Sequence, residues 1–337
     1  MVALDTLKVK IPRAVVLDYD GKAFNERREV DSMRGTIKET LHLNKTVIGR
    51  VCGQGKIEMG EECATVEVSA KILGEMYPSG INLDTVDQVP RAINAAGVLS
   101  IDEAAFIAGA EVLRCDAAVN LPVESVQESL QHLRLLGIND RYNGRPYEKT
   151  GIVFTREAKT VAERLTFYDK HGEMLMRKNA KWIAAGCLDP EPFRGMLRAE
   201  TNMKHYTNIR ELFGVQERAL LDVLSSDRNP VLTVFERIAE HSRVQGMNPK
   251  FAQLCSMRGG VVSIVKRMGW IEVFDVCAWQ WDMIRVFIRG TYHGGSKPSR
   301  ILSQARGIFQ DELRKRNFPE VAKDRIAEVH QLLRKAA

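Results

Sequence analysis

The chain has 337 residues, 45% of them hydrophobic and 27% charged, and carries a formal net charge of +6. This balance excludes global disorder and suits a folded protein of about two domains. The N-terminal stretch lacks the apolar core of a signal peptide and no run approaches the ~18 apolar residues of a membrane span, so no membrane partner and a cytoplasmic location are expected.

The positive charge is uneven. Residues 216–337 carry 20 Lys and Arg against 13 Asp and Glu, whereas residues 1–215 carry 29 against 30. A basic C-terminal third suits a polyanionic partner, and equally a mildly basic helical domain with no nucleic-acid role. The six cysteines, at 52, 63, 115, 187, 255 and 277, are widely spaced without a C-x-x-C pair and read as reduced thiols.

In chain order, "TLKVKIPR" alternates apolar and polar residues before Pro12 and predicts a first strand, and "CATVEVSA" (63–70) a second. The segment from Ile81 holds helix signals, with Ser100 before "IDEA" placed as a capping box would be. "EVLRCDAAVNLP" (111–122) predicts a third strand, and "VESVQESLQHLRLLG" a helix ending at Gly137. Residues 139–151, "NDRYNGRPYEKTG", predict a loop, followed by strands at "GIVFT", "RLTFYDK" and "GMLRAETNM". Long helical stretches follow from about residue 208, including "VLTVFERIAEHSR" and "WQWDMIRVFIRG". Strands first and helices afterwards predict an α+β fold. The expectation is a central antiparallel sheet with helices on one face and the active site on the other (residues 1–215), then an all-helical domain (216–337) assisting DNA binding.

Period-two alternation assigns each strand a polar face. It holds Arg114, Asp116 and Asn120 in the third strand, Arg198, Glu200 and Asn202 in the last, Glu67 in the second, and Arg164, Thr166, Tyr168 and Lys170 in "RLTFYDK". Carboxylates converging at strand centres would suit Mg2+ or Mn2+, and a neighbouring tyrosine could attack a metal-polarised phosphodiester. The same alternation suits a solvated sheet face held by Arg–carboxylate cross-strand pairs, and spacing alone does not separate the two. In the loop, Tyr142 and Tyr147 are interleaved with Arg141, Arg145 and Lys149, a pattern that stacks on unpaired bases or merely decorates a surface.

The ordered series "ATVEVSAKILGEMYPSGIN", "VLRCDAAVN", "LTFYDKHGEM" and "LRAETNMKHYTNIRELFG" resembles the gene II type rolling-circle replication initiators of filamentous phages and related plasmid proteins over roughly residues 5–215. The resemblance implies a metal-dependent, site-specific nickase and strand-joining enzyme. Such an enzyme acts on single-stranded or supercoiled origin DNA through a 5′-phosphotyrosyl intermediate, with a host helicase and polymerase as further partners. Carried over by motif, Tyr168 is the nucleophile and Lys170 positions the phosphate or protonates the leaving oxygen. Asp116 and Glu200 are metal ligands, with Glu67 and Glu173 as further ligands, and Arg114, Arg164 and Arg198 join the loop residues in holding DNA. The chain departs from many rolling-circle initiators in having no His-hydrophobic-His pair, so carboxylates would have to hold the ion. The alternative is a non-catalytic DNA-binding replication or transcription regulator; a nuclease using water is a third reading. In the C-terminal third, Arg258, Lys266, Arg267, Trp270, Trp279 and Trp281 suggest either a DNA reader or a helical core.

Overall fold

The structure, a computed structural model, describes residues 2–31, 36–43, 56–137, 139, 141–147, 151–156, 163–242, 261–277, 279–291, 298–315 and 318–336. The chain divides into two compact units. Unit 1 is Met1–Ser242 together with Ala327–Ala337, and unit 2 is Arg243–Ile326. The fold is α+β, as the element order predicts.

Unit 1 is built on a ten-stranded sheet. Its strands are β1 (Ala3–Pro12), β3 (Phe24–Asp31), β4 (Thr36–Leu43), β5 (Lys56–Met59), β6 (Cys63–Ser69), β8 (Glu111–Pro122), β9 (Asn143–Tyr147), β10 (Gly151–Arg156), β11 (Glu163–Asp169) and β12 (Met196–Met203). They are ordered β3-β4-β5-β6-β1-β8-β12-β11-β10-β9, and every pairing is antiparallel. A small pair, β2 (Val16–Tyr19) with β7 (Leu99–Ile101), lies outside it. Residues 143–147, expected in a loop, form the edge strand β9, where Pro146 is tolerated because the edge needs no donor on its outer side.

The apolar face is what alternation demands. Cys115, Ala117, Val119 and Leu121 of β8, Leu165 and Phe167 of β11, and Leu197, Ala199 and Met203 of β12 are all buried. In β8 the alternation is broken near its start: the register jumps from Lys8↔Arg114 to Val9↔Val112, so Val112 rather than Leu113 completes the core row. The face lies under α2 (Glu103–Gly109), α3 (Val126–Leu133), α6 (Tyr206–Phe213), α7 (Leu220–Leu224) and α8 (Pro230–Glu240). Phe167 packs edge-on against Phe154 and Phe235 at 6.3 and 5.9 Å; burying an aromatic ring of this kind contributes roughly 1.5–3 kcal/mol. Helix α2 starts at Asp102, whose side chain accepts from Ala105 N at 2.9 Å, while Ser100 stays in β7 and caps nothing.

The expected division at residues 215 and 216 is not where the units part. Helix α8 begins with an Asn229 cap and Pro230, and buries Val231, Val234, Phe235 and Ile238, a stripe at helical spacing that covers β8, β11 and β12. It therefore belongs to the sheet's core. Helix α12 (Phe318–Lys335) returns its second half to unit 1, where Asn229 Nδ2 donates to Leu333 O at 3.1 Å.

Apart from the turn at Cys277, Trp279 and Gln280, the described residues of unit 2 are helical, with α9 (Val261–Val276), α10 (Trp281–Thr291) and α11 (Pro298–Lys315). Phe274, Ile284, Ile288, Ala305 and Phe309 form its core, and Trp270, Trp279 and Trp281 pack against it. Those tryptophans are mainly core residues; Arg258 lies outside the described residues. No helix among the described residues is long and apolar enough to cross a membrane.

Candidate functional site

The polar face at the sheet centre is assembled from β1, β8, β12 and β11. Register sets Tyr168 opposite Arg198 and Thr166 opposite Glu200; on the other side of β12, Asn120, Ala118 and Asp116 stand opposite Arg198, Glu200 and Asn202. Ala118 contributes only a methyl group beside Glu200. Asp5 enters through a β-bulge: the register of β1 on β8 jumps from Leu4↔Ala117 to Thr6↔Asp116, so Asp5 and Thr6 fall together between the core residues Leu4 and Leu7. Bulges re-aim side chains in this way beside functional sites.

Short helical segments cover this face: the 3-10 stretch Ala70–Ser79, α4 (Lys170–Met174) and the turn Glu191–Phe193. The result is a buried polar cluster rather than an open platform. Arg198 Nη2 donates to Asp5 Oδ1 at 2.6 Å and its Nη1 to Asn120 Oδ1 at 3.3 Å; Tyr77 Oη also donates to Asp5 Oδ1, at 3.3 Å. Tyr168 Oη donates to Glu200 Oε2 at 2.9 Å. Lys170 Nζ donates to Glu173 Oε2 at 2.8 Å and lies 5.2, 5.5 and 5.8 Å from the ring centres of Tyr77, Tyr168 and Phe193, an aromatic cage for the ammonium.

Electrostatics follow from that burial. Burial and the Asp5 charge push Glu200 up to about 7, partly offset by Arg198. Burial and Glu200 hold the Tyr168 phenol well above its ordinary range, so it is neutral at rest. Burial lowers Lys170, and the like charge of Arg198 adds to this. Burial opposes the charge of Glu173, but Lys170, Lys71 and Lys178 together bring it down to about 2. Burial raises Asp116 against the pull of Arg114.

The candidate residues thus separate into groups. Tyr168, Glu200 and Arg198 meet directly. Asp116 is hydrogen-bonded by Asn202, and Arg114 bridges it to Glu67 at 3.4 Å on both sides. Lys170 is not on the strand, because Asp169 caps α4 by accepting from Gly172 N at 2.9 Å and so ends β11; the lysine is 2% exposed. Glu173 lies between Lys170 and Lys178, each at 2.8 Å.

These placements do not fit a carboxylate metal centre. Among the described residues no three of His, Cys, Asp and Glu come together to hold an ion. Each expected ligand already has another neighbour: Arg114 for Glu67 and Asp116, lysines for Glu173, and the Tyr168 phenol for Glu200.

Of the DNA-holding candidates, Arg141 and Arg145 are exposed, and Arg164 lies 5.5 Å from the centre of the Tyr147 ring, itself 5.9 Å from that of Tyr168. Arg198 is 3% exposed and committed to Asp5. Tyr142 is no loop stacker: its ring is buried and its phenol donates to Glu163, which also pairs with Arg237. Lys149 lies outside the described residues.

The sequence reading missed Asp5 and Tyr77. The first has a visible signal, since the apolar residues of "ALDTLKVKI" fall at Leu4, Leu7, Val9 and Ile11, three apart and then two. The second sits in an irregular 3-10 stretch that has no period to read.

Gly151 fixes the position of Tyr168 from the neighbouring strand. A Cβ there would meet Phe167 O at 2.6 Å and Tyr168 Cβ at 2.8 Å. Gly151→Ala should therefore cost about 1–3 kcal/mol by overpacking, read as a lower urea midpoint with unchanged slope.

No family model matches the chain, and no curated protein matches it. A solved structure, of a rolling circle replication initiator protein from Geobacillus stearothermophilus, aligns over 71% of this chain and 79% of its own at 12% identity and a TM-score of 0.28. That protein is of the general type the sequence motifs suggest. So loose a superposition carries no argument, and the functional reading rests on the residues.

Proposed function

We propose that unit 1 is a DNA strand-nicking and strand-joining enzyme in which Tyr168 is the nucleophile and Glu200 its proton acceptor. The observation that carries this reading is the 2.9 Å hydrogen bond from Tyr168 Oη to Glu200 Oε2, the nucleophile–base contact such chemistry requires. Two further features support it. Arg114 Nε and Arg198 Nε are buried without a hydrogen-bond partner, and Arg198 Nε lies 3.9 Å from Glu200 Oε2. Buried N–H groups are normally paired, and a phosphate oxygen drawn in beside Glu200 would satisfy Arg198 Nε. Attack by Tyr168 on phosphorus passes the phenol proton to Glu200, forms the phosphotyrosyl bond and breaks the bond to the 3′ oxygen, which then takes up a proton.

One observation favours a second reading, a DNA-binding protein without catalysis. Tyr168 is 6% exposed, so its cover must shift before a phosphodiester can reach the hydroxyl. Incubating the full chain with single-stranded and supercoiled DNA, with and without magnesium or manganese, separates the two. Denaturing electrophoresis should show a covalent adduct that Tyr168→Phe abolishes while DNA binding persists. Salt-sensitive DNA binding with no adduct on any substrate selects the second reading.

A further inference from the structure

Unit 2 concentrates the charge of the chain. Residues 243–326 hold 15 Lys and Arg against 7 Asp and Glu, a net of +8, leaving 34 against 36 for the rest. Between α9 and α11 this unit contains an open groove of about 640 Å3, within the range of about 300–1,000 Å3 typical of small-ligand sites.

Its walls combine three kinds of chemistry. Trp270 stacks on Phe274 with ring centres 6.0 Å apart and planes at 26°, and its half-buried indole also lines the groove. Gln304, Gln310 and Asp311 offer amide donors and carbonyl or carboxylate acceptors. Lys266 is exposed at the wall and forms no ion pair among the described residues. Arg267 is pinned by Asp311 and by the fully buried Glu312, which makes the wall rigid. Gly307 keeps the groove open: a Cβ built there meets nothing within 4 Å.

We propose that this groove binds an unpaired nucleotide of a nucleic-acid strand, the base stacking on Trp270, its edge facing the glutamine amides and a phosphate meeting Lys266. A flat aromatic wall takes any base by its face, and a cationic rim tracks the backbone. Bases in a duplex are already stacked and cannot offer that face. The groove belongs to unit 2 and Tyr168 to unit 1, and the proposal does not depend on the nicking reading.

The test uses the whole chain and a labelled thymidine oligonucleotide carrying 5-bromodeoxyuridine, with thymidine monophosphate and a duplex as comparison arms. The oligonucleotide should bind far more tightly than either, and photocrosslinking should map to Trp270. Gly307→Leu, which fills open space in a helix, should leave thermal unfolding no lower than the parent's, since leucine is the better helix former, remove the crosslink and weaken binding about tenfold, within the range expected for losing one stacked base. Lys266→Glu should weaken binding and flatten its salt dependence. Crosslinks that avoid unit 2, or affinities within twofold of the parent in both variants, overturn the proposal. Equal binding of the monophosphate overturns the strand, and equal binding of the duplex overturns the unpaired base. Loss of the Tyr168 adduct leaves all these readouts unaffected, so the two proposals fail separately.

Discussion

Replacing Arg198 with methionine should lower the free energy of unfolding by about 3–5 kcal/mol, the usual penalty for stranding one member of a buried ion pair. Arg198 is 3% exposed and its guanidinium is 2.6 Å from Asp5, whose side chain keeps only 15% of its exposure. Methionine fills most of the volume but leaves Asp5 with the Tyr77 hydroxyl as its nearest donor. Lys170 and Lys71 lie near enough to lower Asp5 and will soften the loss. The double variant Asp5→Asn with Arg198→Met removes both charges and should recover much of the stability, giving a coupling of about 1–3 kcal/mol in a double-mutant cycle.

The pH dependence checks the cause. Burial opposes the charge of Asp5, yet Arg198, Lys170 and Lys71 outweigh it and hold the carboxyl below its ordinary value of 3.8. A depressed carboxyl stabilises the fold above its unfolded value, and that contribution disappears as the pH falls through the folded one. The deficit of Arg198→Met should therefore be full near neutrality and shrink in acid, as Asp5 becomes protonated. A deficit independent of pH would mean that packing rather than charge is lost.

Much of this cluster was legible in the sequence because strand alternation is a local rule. It placed Arg198, Glu200 and Asn202 on one face with Tyr168, and Arg114, Asp116 and Asn120 beside them, without knowledge of strand order. The rule fails where the backbone leaves it. Asp5 enters by a bulge, Lys170 leaves the strand at the Asp169 cap, and Tyr77 comes from an irregular stretch. Alternation also says nothing of what covers a face. The same polar residues suit an open cation site or a sealed network of ion pairs, and only the packing of Ala70–Ser79 and α4 decides between them. The unit boundary was illegible for a similar reason. The apolar stripe of α8 predicts a buried helix face, but whether that face meets a sheet or other helices depends on residues far away in the chain.

Glu200→Gln should have opposite effects on stability and on chemistry. The free carboxyl titrates at 4.5 and the folded one at about 7, raised first by burial and then by Asp5. A raised carboxyl favours the fold only while protonated, so its contribution is complete below pH ~4.5 and lost as the pH rises through about 7. At about 1.4 kcal/mol for each pH unit between the two values, the glutamine variant should be roughly 3–4 kcal/mol more stable than the parent at pH 8 and no different at pH 4. Urea unfolding at the two pH values measures this. In the parent, adduct formation should rise with pH and level off above about 7, where Glu200 is free to take the phenol proton. The amide can still accept the Tyr168 hydrogen bond but cannot take the proton. Adduct formation in Glu200→Gln should therefore fall by about 10²–10⁴-fold, the usual contribution of a positioned general base. A gain in stability with an undiminished rate would leave Glu200 as a buried hydrogen-bond acceptor and move the base elsewhere. A gain in stability with a lost rate is the signature of a strained group kept for function.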